Sequence, residues 1–433
     1  MVAKGFQEQE QVRGDSPTCS REGVRIALTI IAGNSWNLRS LDISTAFLQG
    51  GPINREVFVI PPKEAETNKL WLLKKAVYGL NDASRNWYLK LKEVLLGLGP
   101  KTMKLDQGIF CWYHNSNLIG LMVCFVDDIL YGGDPCFSSI IDQLKSQFKV
   151  GTESETKVNY IGSNITQNPD FSLTISQKEY VENLELIPLS TINTADKLRP
   201  LADVEKTILR GAIGQLNWLS GITRPEISFC VSEVSSMITS ATVSDILAIN
   251  KAIKFVKSTP GYITIPKLDL QSIKIVTFSD SSFNNLPNGN SQGAHIVFLA
   301  DDNNNACPIS WTSNKVKRVV KSTLAAETLA FSEGADNAYF IRNLLQEMLL
   351  IPTMSAIPII CLTDSQSLFE TVGTSNQISD RRLRVEISAI REMIDNDEIA
   401  IEWVSKDLQL SDVLTKKGAS PSPLMRSLQR GSF

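Results

Sequence analysis

The sequence predicts three regions in series: an α+β region over residues 1–184, connecting helices over 185–265, and an α/β domain with a mixed sheet over 266–433. Three observations predict this. Short strand patterns surround one well-bounded helix in the first region. Apolar residues at helical spacing then fill residues 204–257. From residue 273 three strand patterns are followed by helix, strand, helix and strand, the order of an α/β domain.

The elements follow in order. Residues 38–43 and 56–60 read as short strands, the second stopped by Pro61 and Pro62. Residues 86–98 are helical by composition and end at Gly99 and Pro100. Residues 120–133 read as a strand, a two-residue polar tip and a second strand, and 173–176 closes the region. Periodicity fades between about 185 and 205, where Pro188, Pro200 and several Thr and Asn mark a linker. Helices are expected at 204–220, 224–240 and 243–257, the last stopped by Pro260 and Gly261. Strands at 273–279 and 294–300 flank a loop rich in Asn, Gly and Pro, and a third strand falls at 309–312. Ser322 is a candidate N-cap for a helix carrying Phe331, Ala335, Ala338, Ile341 and Leu345 on one face. A strand at 359–363, a helix at 383–394 and a strand at 399–404 complete the pattern.

At 433 residues the chain is long enough for two or three cores. With 43% hydrophobic and 21% charged residues it has ordinary globular composition. The net charge of -3 argues against binding nucleic acid through overall charge but leaves local basic stripes open. None of the seven cysteines forms a CxxC pair, and the histidines are only His114 and His295, which excludes a zinc finger of the usual spacing. Free, buried thiols in a reducing compartment are expected. The apolar runs near 26–32 and 118–126 are too short to span a bilayer, and the first residues lack a signal-peptide pattern. A cytosolic or nuclear protein is the expectation.

The sharpest local signal is Cys124-Phe125-Val126-Asp127-Asp128-Ile129-Leu130, two adjacent acids inside an apolar hairpin. An ionised carboxylate is costly to bury alone, so the pair needs solvent at a turn, a cation or a metal. The plain alternative is a turn tip, although Asp-Asp without Gly makes a poor type I′ turn. Asp42, in Leu41-Asp42-Ile43-Ser44-Thr45-Ala46-Phe47-Leu48, ends a second strand and could equally cap the helix that follows. Together, carboxylates at the ends of neighbouring strands suit two Mg²⁺ ions roughly 4 Å apart. Because side chains alternate along a strand, only one of Asp127 and Asp128 should match Asp42.

These stretches, with Lys74-Lys75-Ala76-Val77-Tyr78-Gly79-Leu80 and Ala83-Ser84-Arg85-Asn86-Trp87-Tyr88, resemble the reverse transcriptase of copia-type LTR retrotransposons. Leu105-Asp106, Tyr160-Ile161-Gly162, Gly214-Gln215-Leu216-Asn217-Trp218 and Thr223-Arg224-Pro225-Glu226 match in order and spacing, and the resemblance runs through essentially the whole chain. It implies a palm-and-fingers polymerase fold followed by a helical connection. It implies Asp42 and Asp127 as metal ligands with Asp128 beside them. Phe47 would lie under the incoming sugar and select deoxynucleotides, where a plain core Phe is the alternative. Tyr78, Gly79 and Arg85 would lie near template and nucleotide.

A second set of acids occupies strand ends and a helix face in the last region: Asp280, Glu327, Asp364 and Asp412. Singly each reads as a solvated residue or a cap. In this order they resemble the four-acid centre of RNase H domains, as do the strings Ser310-Trp311-Thr312-Ser313 and Ser322-Thr323-Leu324-Ala325-Ala326-Glu327. The resemblance implies an RNase H-like fold in which the four acids hold two Mg²⁺ ions, with Mn²⁺ as a substitute, and cut the RNA strand of a hybrid. Lys315, Lys317 and Arg318, with Lys321, form a basic cluster that reads either as a solvated loop or as a strip tracking phosphates. Arg381, Arg382 and Arg384 invite the same two readings.

The partners implied are an RNA template, a DNA primer, an RNA–DNA hybrid and deoxynucleoside triphosphates. The sequence departs from the family pattern in four places. Met1 directly precedes Val2-Ala3-Lys4-Gly5, which points to truncated fingers; Asn81-Asp82 and Ser84 replace the more usual Lys-Gln and Pro; and Leu408 stands where a polar residue or His is common. The leading expectation is an RNA-directed DNA polymerase fused to an RNase H. The alternative is a truncated, polymerase-inactive remnant that binds nucleic acid or retains RNase H only.

Overall fold

The computed structural model describes residues 2–8, 12–65, 69–189, 196–286, 289–352, 357–374 and 378–433. Met1, part of the expected linker (190–195) and part of the loop after residue 279 (287–288) lie outside the described residues. The chain divides into two compact units. One comprises Met1–Ala27, Trp36–Ile161 and Glu347–Leu350; the other comprises Leu28–Ser35, Gly162–Gln346 and Ile351–Phe433.

Helix α1 (Arg21–Gly33) opens the described secondary structure and was not expected. Residues 26–32 are buried, and Arg21, Arg25 and Thr29 fall four apart on one face, the helical period of this segment. In the first unit β1 (Arg39–Ile43) leads to the short α2 (Ala46–Gln49). The hairpin of β2 (Phe58–Val59) and β3 (Trp71–Leu72) precedes α3 (Ala83–Gly97). Next come β4 (Lys101–Thr102), β5 (Ile109–His114), β6 (Asn117–Phe125) and β7 (Asp128–Gly133). Helix α4 (Ser138–Gln147), β8 (Val150–Glu155) and β9 (Lys157–Tyr160) complete it.

Six strands form one sheet in the order β4-β5-β6-β7-β1-β8, so β1 is inserted between β7 and β8. Leu41, Ile43, Phe110, Met122 and Ile129 from the sheet share a core with Trp87, Leu91 and Leu95 of α3 and with Ile141 and Leu144 of α4. Gly120 pairs with Gly133 across β6 and β7, and the Phe137 ring lies against both. A Cβ at either position would come within 2.3–2.4 Å of that ring, so two absent side chains make room for one aromatic.

Two departures from the family pattern have structural partners. Asp82 is buried, ion-paired with Arg55, and accepts a 3.0 Å hydrogen bond from Asn86 Nδ2. Arg55 also reaches Glu8 at 3.2 Å. Asn81 Nδ2 donates to Gly5 O at 3.1 Å.

The second unit begins with β10 (Ser163–Gln167), β11 (Leu173–Ser176) and α5 (Lys178–Glu182). Helices α6 (Asp203–Ile222), α7 (Ser228–Ser236) and α8 (Val243–Ser258) follow, and then β12 (Tyr262–Ile265), which pairs antiparallel with β11. Leu209, Leu216, Leu219, Val231, Ile246, Ile249 and Ile253 form the core of the helices. Arg224, in the turn between α6 and α7, is buried. It pairs with Glu226 and donates to the carbonyls of Val256 and Thr259, both at 3.1 Å, which locks that turn to the end of α8.

The α/β part contains β13 (Lys274–Leu286), β14 (Asn290–Ala300), β15 (Ala306–Lys315) and the long α9 (Thr323–Leu349). Then come β16 (Ile359–Thr363), α10 (Gln366–Gly373), α11 (Arg381–Asp395), β17 (Ala400–Trp403) and α12 (Ser422–Arg430). The sheet order is β15-β14-β13-β16-β17, antiparallel from β15 to β13 and parallel from β13 to β17. This is the RNase H-like arrangement the resemblance implies. Bonds and ion pairs that join it to the helices include Trp311 Nε1 to Ser220 O at 2.9 Å, Gln292 Nε2 to Ser232 Oγ at 3.1 Å, and Lys417 to Glu233 at 3.9 Å. The seven cysteines are free. Five are buried, Cys230 is half-buried and Cys136 is exposed, so the expectation of buried thiols fails at Cys136. Among the described residues no helix is long and apolar enough to cross a membrane.

Candidate active sites

In the first unit the acids gather at the junction of β1 and the β6–β7 hairpin. The antiparallel register sets Asp42 directly across from Asp128, and Ile43 N donates to Asp127 O at 3.3 Å. Residues directly opposite in such a pair point to the same face. The position matching Asp42 is therefore taken by Asp128. Asp127 sits at the tip, where its Oδ2 lies 3.5 Å from the Tyr78 hydroxyl. Burial first, and then the charges of Asp127 and Asp42, push the Asp128 carboxyl above its ordinary range.

The tip has an unusual backbone. Val126 adopts φ +57°, a left-handed conformation that costs a β-branched residue energy. The indole Nε1–H of Trp87 donates to Val126 O at 2.6 Å and holds that conformation from α3. Trp87 is almost fully buried and stacks edge-on against Phe148 at 5.1 Å. Sequence reasoning gave Trp87 no role. On the far side of Asp42 lies Gly151 of β8, where an added Cβ would stand 2.3 Å from Asp42 Oδ2 and 2.8 Å from Ser44 Oγ. The missing side chain leaves the carboxylate its space, and no spacing rule signals this.

The residues assigned to substrate by resemblance are dispersed around this centre. Phe47 is half-buried on α2 and packs against Tyr78, with ring centroids 4.4 Å apart, so the two rings and Asp127 form one wall. Gly79 has φ +94°, and a Cβ there would overlap Ala3 O; the backbone of Ala3 and Gly5 donates to Tyr78 O and Gly79 O at 2.7 and 3.0 Å. Its glycine is required by this close approach. Arg85 is paired with Asp15, at 3.1 Å to both its carboxylate and its carbonyl. That guanidinium is already engaged within the protein.

In the second unit Asp280 of β13, Glu327 of α9 and Asp364 just beyond β16 converge, with one carboxylate oxygen of each within 4.8 Å of the others. Asp280 is 1% exposed and Glu327 6%. Burial, partly offset by Lys416 and Thr415, pushes the Asp280 carboxyl up to about 6. Burial and then the charge of Asp280 push Glu327 up to about 8. Three carboxylates this close and this buried repel one another, which is the donor set of a site for a hard cation. Asp412 stands outside this three-acid group, ion-paired with Lys416.

The loop carrying Asp412 reaches the centre through residues the sequence did not single out. Gln409 is buried and donates from Nε2 to Ser279 O at 3.0 Å and to Asp364 Oδ1 at 3.4 Å. Ser411 Oγ donates to Gln409 Oε1 at 2.8 Å and orients the amide. Leu408, the expected polar position, is 63% exposed, and the polar side chain comes from the next residue. Thr415 Oγ1 donates to Asp280 Oδ2, and Lys416 Nζ lies 3.1 Å from Asp280 Oδ1. Trp403 donates from its indole to Asp364 O at 3.3 Å. Lys315, Lys317 and Arg318 are exposed, and Arg318 pairs with Glu386. Arg318 and Lys321 line a groove of about 490 Å³ with Arg381 and Arg382, so the two basic stretches meet.

Each compact unit thus carries a carboxylate cluster on its own sheet, the six-stranded sheet in the first and the five-stranded sheet in the second. Residues 1–196 match the reverse transcriptase (RNA-dependent DNA polymerase) family. The chain is 27% identical over 439 residues to the retrovirus-related Pol polyprotein from transposon RE1 of Arabidopsis thaliana, covering 96% of this chain and 29% of that protein. It is 24% identical over 445 residues to the one from transposon TNT 1-94 of Nicotiana tabacum, covering 96% and 32%. Among solved structures, the foamy viral protease-reverse transcriptase in complex with dsDNA aligns with a TM-score of 0.48 at 13% identity, covering 86% of this chain and 68% of that one. The chain is similar in sequence to these Pol polyproteins, and it spans under a third of the length of each of them.

Proposed function

We propose that this chain is an RNA-directed DNA polymerase with a fused ribonuclease H, acting on an RNA template, a DNA primer, deoxynucleoside triphosphates and the RNA–DNA hybrid. One observation carries the reading: each compact unit holds its own carboxylate centre, assembled from residues far apart in sequence. In the first, Asp42 and Asp128, set across from each other, would hold the metal together with Asp127 at the adjoining tip. Phe47 and Tyr78 wall the space beside Asp127, where the sugar of an incoming nucleotide is placed, and Phe47 excludes a 2′-hydroxyl. In the second, Asp280, Glu327 and Asp364 would hold the metal, with Asp412 beside them available to a second ion, while Gln409 orients Asp364 and Lys315, Lys317 and Arg318 follow the phosphates. Mg²⁺, or Mn²⁺ in its place, supplies Lewis acidity and nucleophile activation when bound at either centre.

The test separates the centres. Asp42→Asn should abolish primer extension and leave cleavage of a labelled RNA–DNA hybrid intact, and Asp364→Asn should do the reverse. Extension that survives Asp42→Asn, or cleavage that survives Asp364→Asn, would overturn the assignment of that centre.

A further inference from the structure

We propose that Lys416 is a built-in counter-cation of the second centre: its ammonium occupies the side of Asp280 that faces Asp412 and must leave before a second divalent ion enters. The inference rests on the metal reading of that centre given above. Lys416 therefore sets the metal concentration at which the centre passes from one bound ion to two.

Asp280, Glu327 and Asp364 approach one another closely enough to share an ion, and Asp412 is not in that group. Between Asp412 and Asp280 stands Lys416, whose Nζ pairs with Asp412 Oδ1 and lies 3.1 Å from Asp280 Oδ1. The other oxygen of Asp280 is taken by the Thr415 hydroxyl. A second divalent ion held by Asp280 and Asp412 would draw on the same carboxylate oxygens that now accept from the ammonium. The two cations exclude each other. Desolvation weakens the ammonium, but the charges of Asp280 and Asp412 outweigh it and hold the group protonated. The Lys416 side chain is 30% exposed, so its four-carbon stem has a path to solvent.

The arrangement also answers a physical need. Asp280 is 1% exposed, and a carboxylate so buried without a counter-charge is strongly unfavourable. The lysine neutralises the site while it is empty of metal and gives way when metal is abundant.

The test titrates Mn²⁺ into the full chain carrying Asp42→Asn and Asp127→Asn, so that heat from the first centre is silenced. Two binding steps are expected, the second weaker. Lys416→Gln should tighten the second step at least tenfold, leave the first nearly unchanged, and lower the melting temperature of the metal-free protein. Lys416→Arg should keep the second step weak. In a parallel measurement on unsubstituted protein, acylation of Lys416 by an amine reagent, read by peptide mass spectrometry, should rise only over the Mn²⁺ range that fills the second step. A second step unchanged or weakened in Lys416→Gln, or acylation indifferent to Mn²⁺, overturns the inference. Absence of any Mn²⁺ binding that Asp364→Asn removes would instead overturn the metal reading, and the inference with it.

Discussion

Replacing Trp87 by Phe isolates the bond that holds the Asp127–Asp128 tip. The substitution keeps an aromatic ring against Phe148 but removes the 2.6 Å indole bond to Val126 O. A hydrogen bond of this kind contributes about 1–1.5 kcal/mol, and leaving the carbonyl without a partner puts it at the upper end. The smaller ring leaves a cavity costing about 1–1.5 kcal/mol more. The sum, about 2–3 kcal/mol, is a large share of ordinary domain stability. Val126, freed from its left-handed backbone, should relax and carry the acids with it, and a displacement of about 1 Å lowers a rate on the order of 100-fold. The assays are urea denaturation of the protein and single-turnover primer extension, with hybrid cleavage as the internal control. Loss of extension with cleavage retained is expected. Extension within about twofold of the unsubstituted protein, with stability reduced as calculated, would show that the bond supports the fold and does not position the acids.

Two further outcomes follow from the geometry of the centres. Gly151→Ala should force the Asp42 carboxylate aside, because the new methyl would lie 2.3 Å from Oδ2; extension should collapse while cleavage and the melting temperature of the second unit hold, and undiminished extension would sink the idea. The metal-free protein should lose stability as pH rises from about 4 to about 8. Asp280 and Glu327 are raised by burial to about 6 and about 8, so the folded state favours their protonated forms and that contribution is lost as pH climbs through those values. Scanning fluorimetry checks this: the stabilisation given by Mg²⁺ should grow over the same window, and Glu327→Gln should flatten its upper part.

Much of the architecture was legible because local chemistry and tertiary structure agree. Strand β16 falls at Ile359–Thr363 as expected, since an apolar run ends at an acid with Pro358 in front of it. The hairpin stood out because two acids interrupt an apolar run. Strand β13 runs on past Ser279 to Leu286: the polar Asp280 and Ser281 are buried in the sheet and Phe283–Asn285 are exposed, a pattern that an alternation rule reads as the strand's end. Helices α10 and α12 escaped notice, being short and, for α12, opening on Pro421 as its N-cap and Pro423 in its first turn. Within the centres, alternation said that Asp127 and Asp128 face apart, but only the register with β1 decides which one meets Asp42. Trp87, Gly151, Gln409 and Lys416 act across distances in sequence that no motif spacing encodes.

The bonds from Trp311, Gln292 and Lys417 to the helices have a consequence for modularity. A nuclease fragment cut at residue 266, where composition changes, would strip away Ser220, Ser232 and Glu233 and leave β15 without the helix packed beside it. Recombination or protein engineering that treats the last region as a portable cassette would inherit that bare flank. The transferable piece starts at α6, and the connecting helices are inherited with the nuclease sheet.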